Sequence, residues 1–301
     1  MVEIKPSKQD DATTSFNFEI KSSLTGPIDQ MSPLRQSLLF AELASISYFA
    51  EDEVRTLIAK LGFHDLEFFD KDGSQAYSFH NDTDRVIACR GTEPNEWNDI
   101  KADADAVSAV AETVGRVHRG FKQEVDDLWP RLETALTSND KTLWFAGHSL
   151  GGAMATICAG RCLLSHIDSN PKGLFTYGSP RVGNKRYINY FYVNHLRWVN
   201  NNDIVTRVPP AFMGYRHHGT EMYIDAKGVH RKVRFRFRDR LRGLWGGLKK
   251  FQIDYFSDHS VDRYIEHVAA AVEAEEGKPL TPVETASPET SAPAPGENTD
   301  S

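Results

Sequence analysis

Six residues near the middle of the chain, Gly147-His148-Ser149-Leu150-Gly151-Gly152, constrain the fold more than any other stretch. They follow an apolar run, Leu143-Trp144-Phe145-Ala146, that reads as a buried strand. Small and apolar residues with helical character follow over 153–164. A strand that turns into a helix so abruptly forces the corner residue into strained backbone geometry, and flanking glycines supply the steric room. The corner residue is a serine. Its hydroxyl would stand at a helix N-terminus, where unpaired backbone N–H groups favour negative charge. The pattern G-x-S-x-G alone recurs by chance in roughly one chain in ten of this length at a glycine usage of about 7%. The strand before it and the helix after it make it specific, and Ser149 is the candidate nucleophile.

The rest of the chain supplies a matching frame. Ser32-Pro33 reads as an N-cap with proline at the first helical position, and a second helix is expected over 51–61, ended by Gly62. Three strands follow near 65–69, 75–80 and 85–90, the first two joined by the turn pair Asp72-Gly73. Residues 102–107 alternate like a strand with one solvated face, and helical spacing returns over 120–136. Strands at 143–147, 173–177 and 196–200 then alternate with helices at 153–164 and 185–193. That order implies an α/β fold, a mostly parallel central sheet with helices on both faces. Active groups in such sheets gather at the carboxyl ends of the strands.

A serine hydroxyl needs a base, and the base needs a group that holds its tautomer. The expected order is serine, then acid, then histidine. Asp203 follows the strand at 196–200 in the loop Asn201-Asn202-Asp203 and is the candidate acid. Asp225, at the end of a later strand, is the runner-up, and Asp168 falls on the wrong side of the sheet. His259 lies in the loop Ser257-Asp258-His259-Ser260, just before a helix expected over 261–272, and is the candidate base. His217 and His218 compete with it, while His230 and His267 read as surface residues. Oxyanion donors are expected from the N–H of Leu150 and from Thr92, after the strand that ends at Arg90-Gly91.

Taken together, Arg90-Gly91-Thr92, Val117-His118-Arg119-Gly120-Phe121, residues 147–152, Asn202-Asp203 and Tyr215-Arg216-His217-His218-Gly219 resemble the class 3 (fungal-type) lipase family of α/β-hydrolases. The likeness covers roughly residues 35–270, with the motifs in family order. It implies the α/β-hydrolase fold and a carboxylester hydrolase resembling triacylglycerol lipases, with no cofactor and no metal. Carried over position by position, it implies the same Ser149, Asp203 and His259 and the same oxyanion residues, Thr92 and Leu150. It also assigns His118 and His218 to structural motifs.

Substrate and partners are read from what surrounds these motifs. The stretch that matches the family's lid, residues 93–99, is polar or acidic apart from Trp97, a weak inner face for a lid that opens at an oil surface. The apolar loop 208–215, with Phe212 and Met213, is a candidate acyl-chain wall. The resemblance makes acylglycerols the expected substrates, with a soluble short-chain or aromatic-acid esterase, or a phospholipase, as alternatives. A non-catalytic lipid- or partner-binding scaffold is the remote one.

Net charge is −7, yet residues 230–250 hold nine Arg or Lys against Asp239 alone. The basic amphipathic segment 230–251 suits either docking on the acidic body or contact with an anionic lipid surface. Nucleic acid is not an expected partner. The expected organisation is an irregular arm over 1–30, a hydrolase domain over 31–272 and a disordered acidic, proline-rich tail over 273–301. Residues 1–18 lack the apolar core of a secretory signal, no run reaches the ~18 apolar residues of a membrane span, and three cysteines suit buried free thiols. A cytoplasmic or peripheral membrane location is the expectation, compatible also with a trimmed secreted form.

Overall fold

The computed structural model describes residues 19–91, 107–111, 114–164, 167–231 and 258–283. Helix α1 (Pro33–Ile46) opens as its sequence dictates. The Ser32 hydroxyl oxygen accepts from the Arg35 N–H at 3.3 Å, and Pro33 takes the first turn. Helix α2 (Glu51–Leu61) carries Glu51, Asp52 and Glu53 in its first turn, where they complement the helix dipole. Strands β1 (Asp65–Lys71) and β2 (Ser74–His80) form a hairpin across Asp72 and Gly73, at φ 53° and 92°. Both values are what a right-handed twist demands of a two-residue turn.

Strands β3 (Asp84–Cys89), β4 (Ser108–Val110) and β5 (Arg116–His118) precede helix α3 (Arg119–Thr137). Then come β6 (Thr142–His148), α4 (Leu150–Leu164), β7 (Pro171–Tyr177), β8 (Gly183–Asn184), the single turn α5 (Lys185–Ile188) and β9 (Asn194–Asn200). Strands β10 (Tyr215–Arg216), β11 (Thr220–Ile224) and β12 (His230–Arg231) lead to the last described helix, α6 (Val261–Glu276). Among the described residues the main sheet has eight strands in the order β1-β2-β3-β6-β7-β9-β11-β12, and its centre from β3 to β11 is parallel. A smaller antiparallel sheet runs β10-β8-β5-β4.

Side chains of the central strands alternate between two cores, as the two-residue period of a strand requires. Ile87, Cys89, Phe145 and Leu174 face α3 and α4, against Val125, Leu128, Leu132 and Met154. Val86, Ala88, Trp144, Ala146, Phe175 and Tyr177 face the opposite way, against α1, α2 and α6. The expected α/β architecture is therefore present, with helices on both faces.

Three boundaries differ from the sequence expectation. The helix expected over 185–193 stops at Ile188, because Phe191, Val193 and His195 bury on alternate residues and pull the chain into extended form. Strand β4 begins at Ser108, while most of the alternating stretch expected to form a strand, 102–106, lies outside the described residues. The disorder expected over 273–301 does not hold for its first part. Helix α6 continues to Glu276, Leu280 and Val283 pack on the core, and the Val283 N–H donates to the Ile20 carbonyl at 2.9 Å. Two apolar residues and a two-pronged Arg35–Glu276 pair, at 2.5 and 2.6 Å, suffice to order this segment. Residues 284–301 lie outside the described residues, as does the arm up to residue 18. The remainder of that arm forms no helix or strand before a 3-10 turn at Ile28–Gln30.

Candidate active site

Ser149 stands between β6 and α4 at φ 59°, one of three non-glycine residues with positive φ among those described. For a residue with a side chain that conformation costs on the order of 1 kcal/mol and persists only where the surroundings impose it. Here the surroundings are backbone. A methyl group at Gly147 would lie 2.3 Å from the Gly151 carbonyl oxygen, and one at Gly151 only 2.1 Å from that of Cys89. The Ser149 N–H donates to the Tyr177 carbonyl at 2.9 Å, tying the corner to β7. Leu150, first in α4, has an N–H with no intrahelical acceptor, as every helix start does.

The side chains of Ser149, His259 and Asp203 come together from three separate elements. His259 Nε2 is 2.8 Å from Ser149 Oγ, and its Nδ1 is 2.9 Å from Asp203 Oδ2. A carboxylate only accepts, so Nδ1 carries the proton and Nε2 is left as acceptor for the serine hydroxyl. All three are buried, which removes competing water from the hydrogen bonds. Asp203 is held in turn: its Oδ1 accepts from the Val205 N–H at 2.9 Å, and its Oδ2 also accepts from the Tyr264 hydroxyl at 2.6 Å. Burial and the adjacent carboxylate push the Tyr264 phenol well above its usual range, so it remains a donor. The Tyr264 oxygen itself accepts from the Asn200 N–H at 3.0 Å.

The turn that delivers His259 is pinned to the loop that delivers Asp203. Asn200 Nδ2 donates to the Asp258 carbonyl at 2.9 Å, while Asn201 Nδ2 and the Asn202 N–H reach the Asp258 carboxylate at 3.0 and 3.3 Å. The rival residues are engaged elsewhere. Asp225 closes a turn by accepting from the Lys227 and Val229 N–H groups and pairs with Arg231. His217 contacts the Thr206 carbonyl, and His218 stacks on Phe191 while sharing a hydrogen bond with His195. His118 packs against Phe121 and Tyr215.

Thr92 and Trp97 lie outside the described residues, as does the basic segment from residue 232 to 251; its first residues, His230 and Arg231, form β12. Phe212 and Met213 sit on an exposed 3-10 turn, Ala211–Met213, at 90% and 43% exposure, so neither is core packing. Cys89, Cys158 and Cys162 are free and buried; a hydrogen bond with Cys158 and then burial raise the Cys89 thiol above its ordinary range, and burial raises that of Cys162. No described helix is long and apolar enough to cross a membrane. Sequence reasoning passed over His148, Tyr48 and Tyr264. Tyr264 had one visible signal, a phenol placed on the apolar stripe Ile265, Val268, Val272 of α6.

Residues 86–213 match the family model described as Lipase (class 3). The chain is 36% identical over 117 residues to a secreted mono- and diacylglycerol lipase 1 of Fusarium solani, covering 36% of this chain and 34% of that protein. It is 28% identical over 222 residues to the toxin TseL of Vibrio cholerae, covering 60% of this chain and 32% of the toxin. It therefore spans about a third of the length of these two relatives. A solved Rhizomucor miehei lipase–propeptide complex superposes with a TM-score of 0.52 at 25% identity, over 64% of this chain and 68% of that one. The matched region carries most of β3, the strand–serine–helix corner and the Asp203 loop, so over residues 86–213 the chain is similar to class 3 lipases, and it has their α/β-hydrolase fold.

Proposed function

We propose that this chain is a serine carboxylester hydrolase that acts on acylglycerols, with Ser149 as nucleophile, His259 as general base and acid, and Asp203 as the group that orients His259. The observation that carries the reading is the unbroken Ser149–His259–Asp203 line at 2.8 and 2.9 Å, beginning at a serine held at positive φ. Ser149 Oγ attacks the ester carbonyl carbon while its proton passes to His259 Nε2. The tetrahedral oxyanion is received by the Leu150 N–H and by Thr92. Collapse breaks the bond to the alkoxy oxygen, which leaves as the alcohol with the proton from His259. Water then attacks the acyl-enzyme, gives its proton to His259, and the acid departs as that proton returns to Ser149.

Acylglycerols are favoured because the Fusarium solani relative is a mono- and diacylglycerol lipase. The exposed Phe212 and Met213 follow the Asp203 loop and offer an apolar wall. A soluble short-chain or aromatic-acid esterase is the second reading, favoured by the polar residues around Trp97. The charge of segment 230–251 supports peripheral contact with anionic lipid; sedimentation with anionic but not neutral vesicles, weakening with salt, is the expected signature. The buried free thiols suit a cytoplasmic or membrane-peripheral protein.

The test compares the wild type with Ser149→Ala on a soluble short-chain ester and on an emulsified triacylglycerol. The serine variant should lose about 10⁶ in turnover while keeping its fold. Activity that survives the substitution would remove Ser149 from its role. Hydrolysis of the soluble ester alone would favour the esterase. Asp203→Ala should damage turnover and Asp225→Ala should not; the reverse result would move the acid to Asp225.

A further inference from the structure

His148, the residue before Ser149, has a buried imidazole that bridges two parts of the site. Its Nε2 is 2.7 Å from the backbone carbonyl oxygen of His259, and its Nδ1 is 3.0 Å from the Tyr48 hydroxyl. A carbonyl oxygen only accepts, so Nε2 carries the proton. In a neutral imidazole Nδ1 is then an acceptor, and the Tyr48 O–H donates to it. Burial, reinforced by the neighbouring His259, pushes protonation of His148 well below the usual histidine range and preserves this neutral form. Neutrality matters here, because the two rings lie 4.6 Å apart and a charge on His148 would oppose the imidazolium that His259 must become. Gly91 leaves room for the phenol: a methyl group there would fall 2.3 Å from the Tyr48 oxygen.

The hydrogen bonds to Asp258 hold the base to the loop that carries the acid, and leave its distance to the serine unspecified. The His148 bond comes from the other direction, from the strand that delivers Ser149. We infer that His148 is a positioning residue: its Nε2–H holds the main chain of His259 in register with Ser149, and Tyr48 selects the tautomer that makes this possible. The inference rests on the reading of Ser149 as nucleophile and His259 as base. A displacement of about 1 Å between reacting groups can cost about a hundredfold in rate, which sets the scale of the effect.

The test uses the full chain with His148→Phe, His148→Gln and Tyr48→Phe. The primary readout is the rate of Ser149 phosphonylation by a fluorophosphonate, with its endpoint counting the reactive sites. It is accompanied by kcat and KM for a soluble ester. His148→Phe keeps a ring but no donor, and should react about 10- to 100-fold more slowly per reactive site with KM unchanged. His148→Gln, whose amide N–H can reach the same carbonyl, should recover most of the loss, and Tyr48→Phe should fall between them. A core histidine with no positioning role would lower the number of folded sites and leave the rate per site unchanged; that result, or glutamine no better than phenylalanine, overturns the proposal. If His148→Phe does not fold, Tyr48→Phe decides: a wild-type rate per site overturns it, and a slower rate at unchanged KM supports it. A wild type that resists the fluorophosphonate overturns both this proposal and the role of Ser149. A wild type that reacts but spares every ester overturns the ester assignment and leaves the His148 comparison to decide on its own.

Discussion

Glu42 in α1 is wholly buried, and its carboxyl oxygens accept from the Lys21 N–H at 2.7 Å and the Ser22 N–H at 3.2 Å. Burial outweighs these hydrogen bonds and raises its pKa from 4.5 to about 7. Between those values the folded protein holds a proton that the unfolded chain has lost. The stability contributed is therefore full below about pH 4.5 and declines as pH rises through about 7. A shift of 7 − 4.5 = 2.5 units corresponds to about 3 kcal/mol. His118, His148, His195 and His218 are pushed the other way, favouring folding as pH rises toward 6.5, so the wild-type curve alone mixes opposing slopes. Glu42→Gln isolates the effect. The amide cannot ionise, but its NH2 faces one of the two backbone donors, so the variant should be less stable than wild type at pH 5. Urea unfolding from pH 5 to 8.5 should then show wild type losing about 2.5 kcal/mol relative to the variant, the rest of the effect lying below pH 5. Parallel curves across that range would mean that Glu42 is ionised throughout and would refute the reasoning.

Two further outcomes follow from contacts around the serine and the acid. Tyr264→Phe removes a donor from Asp203 and the acceptor of the Asn200 N–H, and should cost about 1–3 kcal/mol in urea unfolding together with a fall in kcat. Gly151→Ala should abolish soluble folded protein, since its methyl carbon would meet the Cys89 carbonyl at 2.1 Å; Gly73→Ala, with φ 92° but open space around it, should lose only about 1 kcal/mol by thermal melting.

Residues placed by local geometry were legible in the sequence. The corner at Ser149 needs glycines beside it, Asp203 needs a loop at a strand's carboxyl end, and His259 needs a turn before a helix. Each requirement leaves a mark within a few residues. Tyr48, His148 and Tyr264 hydrogen-bond to partners 100, 111 and 61 positions away, and no local pattern tells a buried phenol or imidazole with a partner from one that merely fills the core. The small sheet was hard to read for a different reason. Strands β8 and β10 have two residues each, too few for a period to register. Tail order failed on composition: a segment rich in acids and prolines still holds Leu280 and Val283, and two anchors were enough.

The pairing of α1 with α6 also sets a timetable for synthesis. The face of α1 that includes Leu38, Leu39 and Leu43 shares a core with Tyr264, Val268 and Val272, which leave the ribosome about 220 residues later. At roughly 5–20 residues per second that is a wait of about 10–45 s, during which the part of α1 that meets α6 stays uncovered, although the central strands of the sheet can already cover the rest. The same delay governs chemistry. His259 lies at the entrance to α6, so the nascent chain carries a finished serine corner long before it carries the imidazole beside it. Under the proposed mechanism the Ser149–His259 pair is complete only once the last helix has been made.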